Sequence, residues 1–129
     1  MVANIRKSIA ERELKTLAQK MNLSKTELHL INFENSIGSG NVVSLEIRSE
    51  ACTEIITEFG KKGLKSEIVA TRVACNTQKY LDASVVVGRY LADPLLIPMA
   101  MSGGDKFSTL PPTKHTTTNI NIIKKNFLI

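Results

Sequence analysis

His115 stands between a double proline and three threonines in PPTKHTTTNINIIKKNFL, residues 111–128. An imidazole is largely neutral at neutral pH, so it can serve as a nucleophile or as a base. Ile120, Ile123 and Phe127 follow at i, i+3 and i+7, which predicts a helix beginning at Thr118 or Asn119, either a good N-cap. His115 is then expected just upstream of a helix N-terminus, where unpaired N–H groups and the macrodipole favour an anion. A phosphate approaching an imidazole suits that placement; a surface histidine in a polar loop suits the same residues. Other candidates offer less. Cys52 and Cys75 have no metal-ligand spacing and are too few for a disulfide framework, so they read as free thiols of a reducing compartment. The GSG within IGSGN, residues 37–41, lacks a Walker lysine and the G-x-G-x-x-G spacing, and it opens a strand. It reads as a hairpin turn.

The elements that must position His115 come from a chain of 129 residues, 43% hydrophobic and 22% charged, the length of one ordinary domain or two small ones. With no Trp and 5% aromatic residues, its core is mainly aliphatic. Net charge is +5 and the sequence pI is about 9.4, which suits a polyanionic partner, yet the basic residues are scattered and form no block. The N-terminus, MVANIRKSIAEREL, is charged and amphipathic, unlike a signal peptide. No uncharged apolar run approaches the roughly 20 residues that span a bilayer. The expectation is a soluble, cytoplasmic protein with no membrane partner.

Composition shifts near residue 80: the acidic residues before it are all Glu, those after it all Asp, and every proline lies later. Two domains are expected, 1–82 and 83–129. In the first, residues 4–21 read as an amphipathic helix, Leu28–Phe33 as a strand, and Val43, Leu45 and Ile47 as the buried side of a second strand. A third runs from Thr53 to Phe59 and ends at GKKG. Ser66 caps a helix with Ile68, Val69, Val73, Ala74, Thr77 and Tyr80 on one side. This predicts an α+β unit, two helices on one face of a short sheet. The later half reads as a helix, VGRYLADPLLIPMAM, then a glycine turn at Ser102–Asp105, a short strand around Phe107–Leu110, and the His115 segment.

VGRYLADPLLIPMAMSGGDKF followed by HTTTNINIIKKNFL resembles the C-terminal region of the RNA 3'-terminal phosphate cyclases, whose pattern is V-G-E-Y-L-A-D-Q and later H-x-x-T-N before an aliphatic helix. AERELKTLAQ, the GSGNVVSLEI strand and the helix ending in KYL resemble the small domain inserted in those enzymes. The resemblance implies an insert-type α/β sandwich followed by an incomplete βαβαββ-type unit. It also implies a C-terminal fragment of a longer enzyme, with little turnover alone. Its protein partner would be the remaining portion of the cyclase or a self-associated copy.

By that resemblance the activity is ATP-dependent conversion of an RNA 3'-phosphate to a 2',3'-cyclic phosphate. His115 matches the nucleophile that takes AMP, with Mg²⁺ assisting departure of pyrophosphate. Tyr90, Leu91, Ala92, Asp93 and Pro94 match the nucleotide-contacting run, and Thr118 and Asn119 match the T-N after the histidine. The alternatives are helix-core packing for Tyr90 and Leu91, and capping for Thr118 and Asn119. For the whole chain the alternative is a non-catalytic RNA-binding or rRNA-processing module, or a decayed remnant. Two positions depart from the family: Arg89 stands where it has Glu, and Pro94 where it has Gln. A proline inside a helix costs roughly 3 kcal/mol, so a kinked nucleotide-contacting segment is predicted.

Overall fold

A computed structural model describes residues 1–127; Leu128, Ile129 and the Phe127 side chain lie outside the described residues. The architecture is α+β. Its strands are β1 (Val2–Ala3), β2 (Asn32–Phe33), β3 (Gly40–Arg48) and β4 (Thr53–Phe59), ordered β2-β1-β3-β4 in a mixed sheet. Its α-helices are α1 (Lys7–Met21), α2 (Ser66–Asp82), α3 (Ala92–Met101) and α4 (Lys114–Phe127). Residues group into two compact units: Met1–Glu46 with Ile55–Lys79, and Ile47–Glu54 with residues from Tyr80 onward.

In the first unit, the period-2 pattern of β3 and β4 sends Val43 and Ile56 inward and leaves Ser44 and Ile55 exposed. Both helices cover this inner face. Asn41 of β3 donates to the Glu13 carboxylate of α1, and Asn76 of α2 donates to Glu58 of β4 at 3.2 Å. Val69, Ala70, Val73, Ala74 and Thr77 form the buried stripe of α2, each valine contributing roughly 1.5–3 kcal/mol. Ile68, expected in that stripe, is exposed, because its position falls off the line through 69, 73 and 77. Gly60 is required by a close approach: the Asn41 side chain fills the space that a Cβ would need.

The N-terminal edge differs from expectation. Val2–Ala3 is a strand, and α1 starts at Lys7 rather than residue 4 because Asn4 takes a left-handed φ of 49°. The Asn4 amide also donates to the Gly38 carbonyl at 3.2 Å. β1 inserts between β2 and β3, parallel to one and antiparallel to the other. IGSGN is therefore not a hairpin turn but part of a crossover past β1. The strand expected at Leu28–Phe33 shrinks to Asn32–Phe33. A 3-10 turn at Lys25–Glu27, held by a Ser24–Glu27 capping box, takes up the chain before it.

Glu13 is buried, 2% exposed. Burial raises its pKa, opposed in part by the N-terminal amine and by Asn41. An acid with a raised folded pKa loses stability as pH climbs from its unfolded value through its folded one, and loses none below both. Glu13→Gln keeps an acceptor for Asn41 and removes the charge. It should raise Tm by a few degrees at about pH 8 and leave it unchanged at about pH 3. Thermal melts at both pH values check this; equal shifts would mean that packing, not charge, is responsible.

In the second unit, the segment before α3 is pinned from several sides. Buried Glu54 accepts the Gly88 N–H at 3.0 Å, and its carboxylate occupies the place of any Cβ on Gly88. Tyr80 donates its hydroxyl to the Val86 carbonyl at 3.0 Å, and the Val87 N–H bonds the Ser108 carbonyl at 3.1 Å. A single parallel bridge, Val87–Thr109, replaces the strand expected at Phe107–Leu110. Because residues 86–88 are bonded to Tyr80, Ser108 and Glu54, the helix expected from Val87 begins at Ala92, whose N–H bonds the Gly88 carbonyl at 3.1 Å. Pro94 thus lies in the first turn, where its missing N–H has no intrahelical acceptor to serve. The helix runs on past Pro94, and the interior proline is Pro98. The glycine turn follows as read, with Gly103 and Gly104 at φ 92° and 93°. Helices α3 and α4 pack together, α4 burying Thr116 and Ile123. Among the described residues, no helix is long and apolar enough to cross a membrane.

Candidate active site

The sequence predicts α4 from Thr118 or Asn119, yet it begins four residues earlier. Thr113 is the reason. Its hydroxyl oxygen accepts the Thr116 N–H at 3.1 Å and lies 2.9 Å from the Thr116 hydroxyl, capping the helix directly after the two prolines. Within the helix two hydroxyls of the threonine run find acceptors one turn back: Thr117 donates to the Thr113 carbonyl at 3.0 Å and Thr118 to the Lys114 carbonyl at 2.9 Å. Thr118 and Asn119 are therefore interior residues, and neither caps. Thr113→Ala should cost about 1 kcal/mol, with Thr113→Ser nearly silent, read by denaturant melts.

This earlier start puts His115 inside the first turn of α4, with its side chain 76% exposed. Asp93 occupies the first turn of α3 and is 23% exposed. The two meet: His115 Nδ1 lies 2.7 Å from Asp93 Oδ2. Asn119, one turn after His115 on the same face, donates its amide to Asp93 Oδ1 at 2.9 Å and sits 3.4 Å from His115 Nδ1. Both carboxylate oxygens are thereby engaged, one by each α4 side chain.

The geometry dictates a tautomer. An ionised Asp93 accepts only, so Nδ1 of a neutral ring carries the proton and donates it to the carboxylate. The lone pair is then on Nε2, the nitrogen away from Asp93, on a ring open to solvent. The first turns of α3 and α4 meet at this contact.

Of the other residues singled out from the sequence, Ala92 is 1% exposed and packs inside, Leu91 is half-buried, and Pro94 is exposed. Tyr90 lies in the turn before α3 and is 69% exposed, so it is not a helix-core residue. Only Asp93 of that run joins His115. The sequence reading missed the contact of Asn119 with Asp93, and the cap at Thr113. The signals were present: His115 and Asn119 are four apart, and Thr113 precedes Thr116 by three. Among the described residues, no cluster of three or more His, Cys, Asp or Glu is placed to hold a metal ion.

A family model described as RNA 3'-terminal phosphate cyclase matches residues 4–129. An RNA 3'-terminal phosphate cyclase from Koribacter versatilis (strain Ellin345) is 37% identical over 124 residues, 96% of this chain and 35% of that protein. The chain thus spans about a third of the length of that relative.

Proposed function

The chain belongs to the RNA 3'-terminal phosphate cyclase family, and from that premise we propose that His115 is the nucleophile that accepts adenylate from ATP in the cyclisation of RNA 3'-phosphate ends. The observation that carries this reading is the 2.7 Å contact of Nδ1 with Asp93, which leaves Nε2 free to attack. In the step itself, the Nε2 lone pair forms a bond to the α-phosphorus of ATP. The bond from phosphorus to the bridging oxygen breaks, and pyrophosphate departs with that electron pair. The ring, still protonated at Nδ1, becomes cationic, and Asp93 holds that charge at hydrogen-bond distance. AMP then passes from the ring to an RNA 3'-phosphate, where the neighbouring 2'-hydroxyl closes the ring and expels AMP. Asp93 is a positioning residue in this scheme, and Asn119 steadies its carboxylate. Mg²⁺ would enter as the complex of the triphosphate and neutralise part of its charge.

A nucleophile supplies only part of the rate enhancement, since positioning and charge stabilisation supply much of the rest. The isolated chain should therefore take up little label from α-labelled ATP. A chimera with this chain in place of the matching third of the Koribacter versatilis relative should label readily, with an acid-labile, alkali-stable bond. Robust labelling of the isolated chain that His115→Asn abolishes would overturn the claim of low activity. Label that survives His115→Asn in the chimera would overturn the assignment of the nucleophile.

A further inference from the structure

The first unit carries a surface that the His115 chemistry does not use. The outer face of its sheet is not uniformly polar: Phe33 on β2 is 52% exposed and Phe59 on β4 is 67% exposed. The chain has four phenylalanines, so half of them stand on this one open face rather than in a core. Between them the floor is low, since Phe33 aligns with Ala3, which aligns with Gly40. Both rings line one shallow cavity of about 380 Å³ over that floor. The two lie three strand spacings apart, roughly 14 Å, the span of about four stacked nucleotides.

A second cavity of about 520 Å³ shares Ser39, Gly40, Asn41 and Gly60 with the first, so the two are continuous around the end of β3. Arg12, Lys61, Lys62 and Lys65 line it, and α2 begins beside them at Ser66. Its carboxylate, Glu13, is buried and turned to Asn41. Arg12 approaches Glu67 only at 3.9 Å, with both side chains exposed. Aromatic faces and cations in one continuous track suit a ligand with flat apolar rings on an anionic backbone. A duplex buries its ring faces and cannot use the phenylalanines.

We infer that this track binds single-stranded RNA, with bases stacked on Phe33 and Phe59 and phosphates drawn to the lysines that follow β4. The choice of RNA over DNA rests on the function proposed above; the stacking and the charge do not. The test is fluorescence anisotropy of the full chain with a labelled single-stranded oligoribonucleotide of about twelve nucleotides ending in a 3'-hydroxyl. Phe33→Leu and Phe59→Leu, which keep an apolar side chain, should each weaken binding about 5- to 100-fold. Lys61→Gln with Lys62→Gln should reduce the slope of log K against log salt by about 1.4. Lys20→Gln, on α1 outside both cavities, should bind nearly as well as the parent, which separates this track from net charge alone.

Unchanged affinity in both phenylalanine variants would overturn the proposal. So would duplex RNA binding as tightly as the single strand, and equal affinity for single-stranded DNA would overturn the choice of RNA. Light scattering completes the test: a dimer dissociated by Phe33→Leu and Phe59→Leu, with RNA affinity unaltered, would assign the face to a second copy of the chain instead.

Discussion

His115→Asn should reduce adenylate transfer in the chimera by at least about a thousandfold while leaving the fold unchanged. Asparagine has no nucleophilic ring nitrogen, so no phosphoramidate forms. Its amide still reaches hydrogen-bond partners from the first turn of a helix, and an exposed position tolerates the exchange. The loss should appear in the rate of label uptake at saturating ATP, not in the affinity for ATP, because attack occurs after binding. Two controls sharpen the result. Circular dichroism should show unaltered helix content, and a 3'-hydroxyl RNA should bind as before through the first unit. Acid-stable label in the parent chimera would point to an oxygen ester instead of the imidazole, and the assignment would fail.

The parts of this molecule that could be read from sequence are those where a period runs for several residues. β3 was expected from Val43, Leu45 and Ile47 at alternate positions, and a strand is found there because such alternation leaves one register; β4 was expected at Thr53–Phe59 and is also found there. α2 carries its stripe through Val69, Val73 and Thr77 for the same reason. β1 is two residues long, too short to have a period, yet it alters the topology by separating β2 from β3. Its pairing partners are about 30 and 40 positions away, a distance at which local propensity carries no information. Nor could propensity place the start of α3, because Gly88 and Val87 are bonded to Glu54 and Ser108, 34 and 21 positions away.

The site was legible as residues but not as an arrangement. His115 and Asp93 were each singled out, 22 positions apart, yet nothing in their types says that the two helix N-termini meet. The helix start was placed too late because it rested on the Ile120, Ile123 and Phe127 spacing and on Thr118 or Asn119 as the cap. Thr113 supplies an earlier cap, and the Thr117 and Thr118 hydroxyls are satisfied by carbonyls one turn back, so the helix starts before the run rather than after it. That four-residue difference matters chemically. It moves His115 from a loop onto a fixed turn, and Asn119 from a cap to a ligand of the Asp93 carboxylate.

Asp93→Asn should slow adenylate transfer by roughly 10³–10⁴, a loss nearly as deep as removal of the nucleophile, although residue 93 never touches the reacting phosphorus. The carboxylate accepts the Nδ1 proton and so keeps the lone pair on Nε2. An amide at 93 can donate to Nδ1 instead, which favours the ring with its proton on Nε2 and no lone pair to attack with. It also removes the negative charge that stabilises the cationic adenylated ring. Stability should change little, since the pair is partly solvent-exposed and such pairs contribute about 0–1 kcal/mol. Long-range proton–nitrogen correlation spectra of the isolated chain separate this from a structural defect. At a pH where the ring is neutral, the parent should show a protonated Nδ1 and a bare Nε2 at His115, and Asp93→Asn should shift the population toward the other tautomer. Asn119→Ala frees one carboxylate oxygen but keeps the charge, so it should cost far less, about tenfold. If Asp93→Asn left the tautomer unchanged and transfer still fell, the carboxylate would act directly on the nucleotide, and the positioning role would be lost.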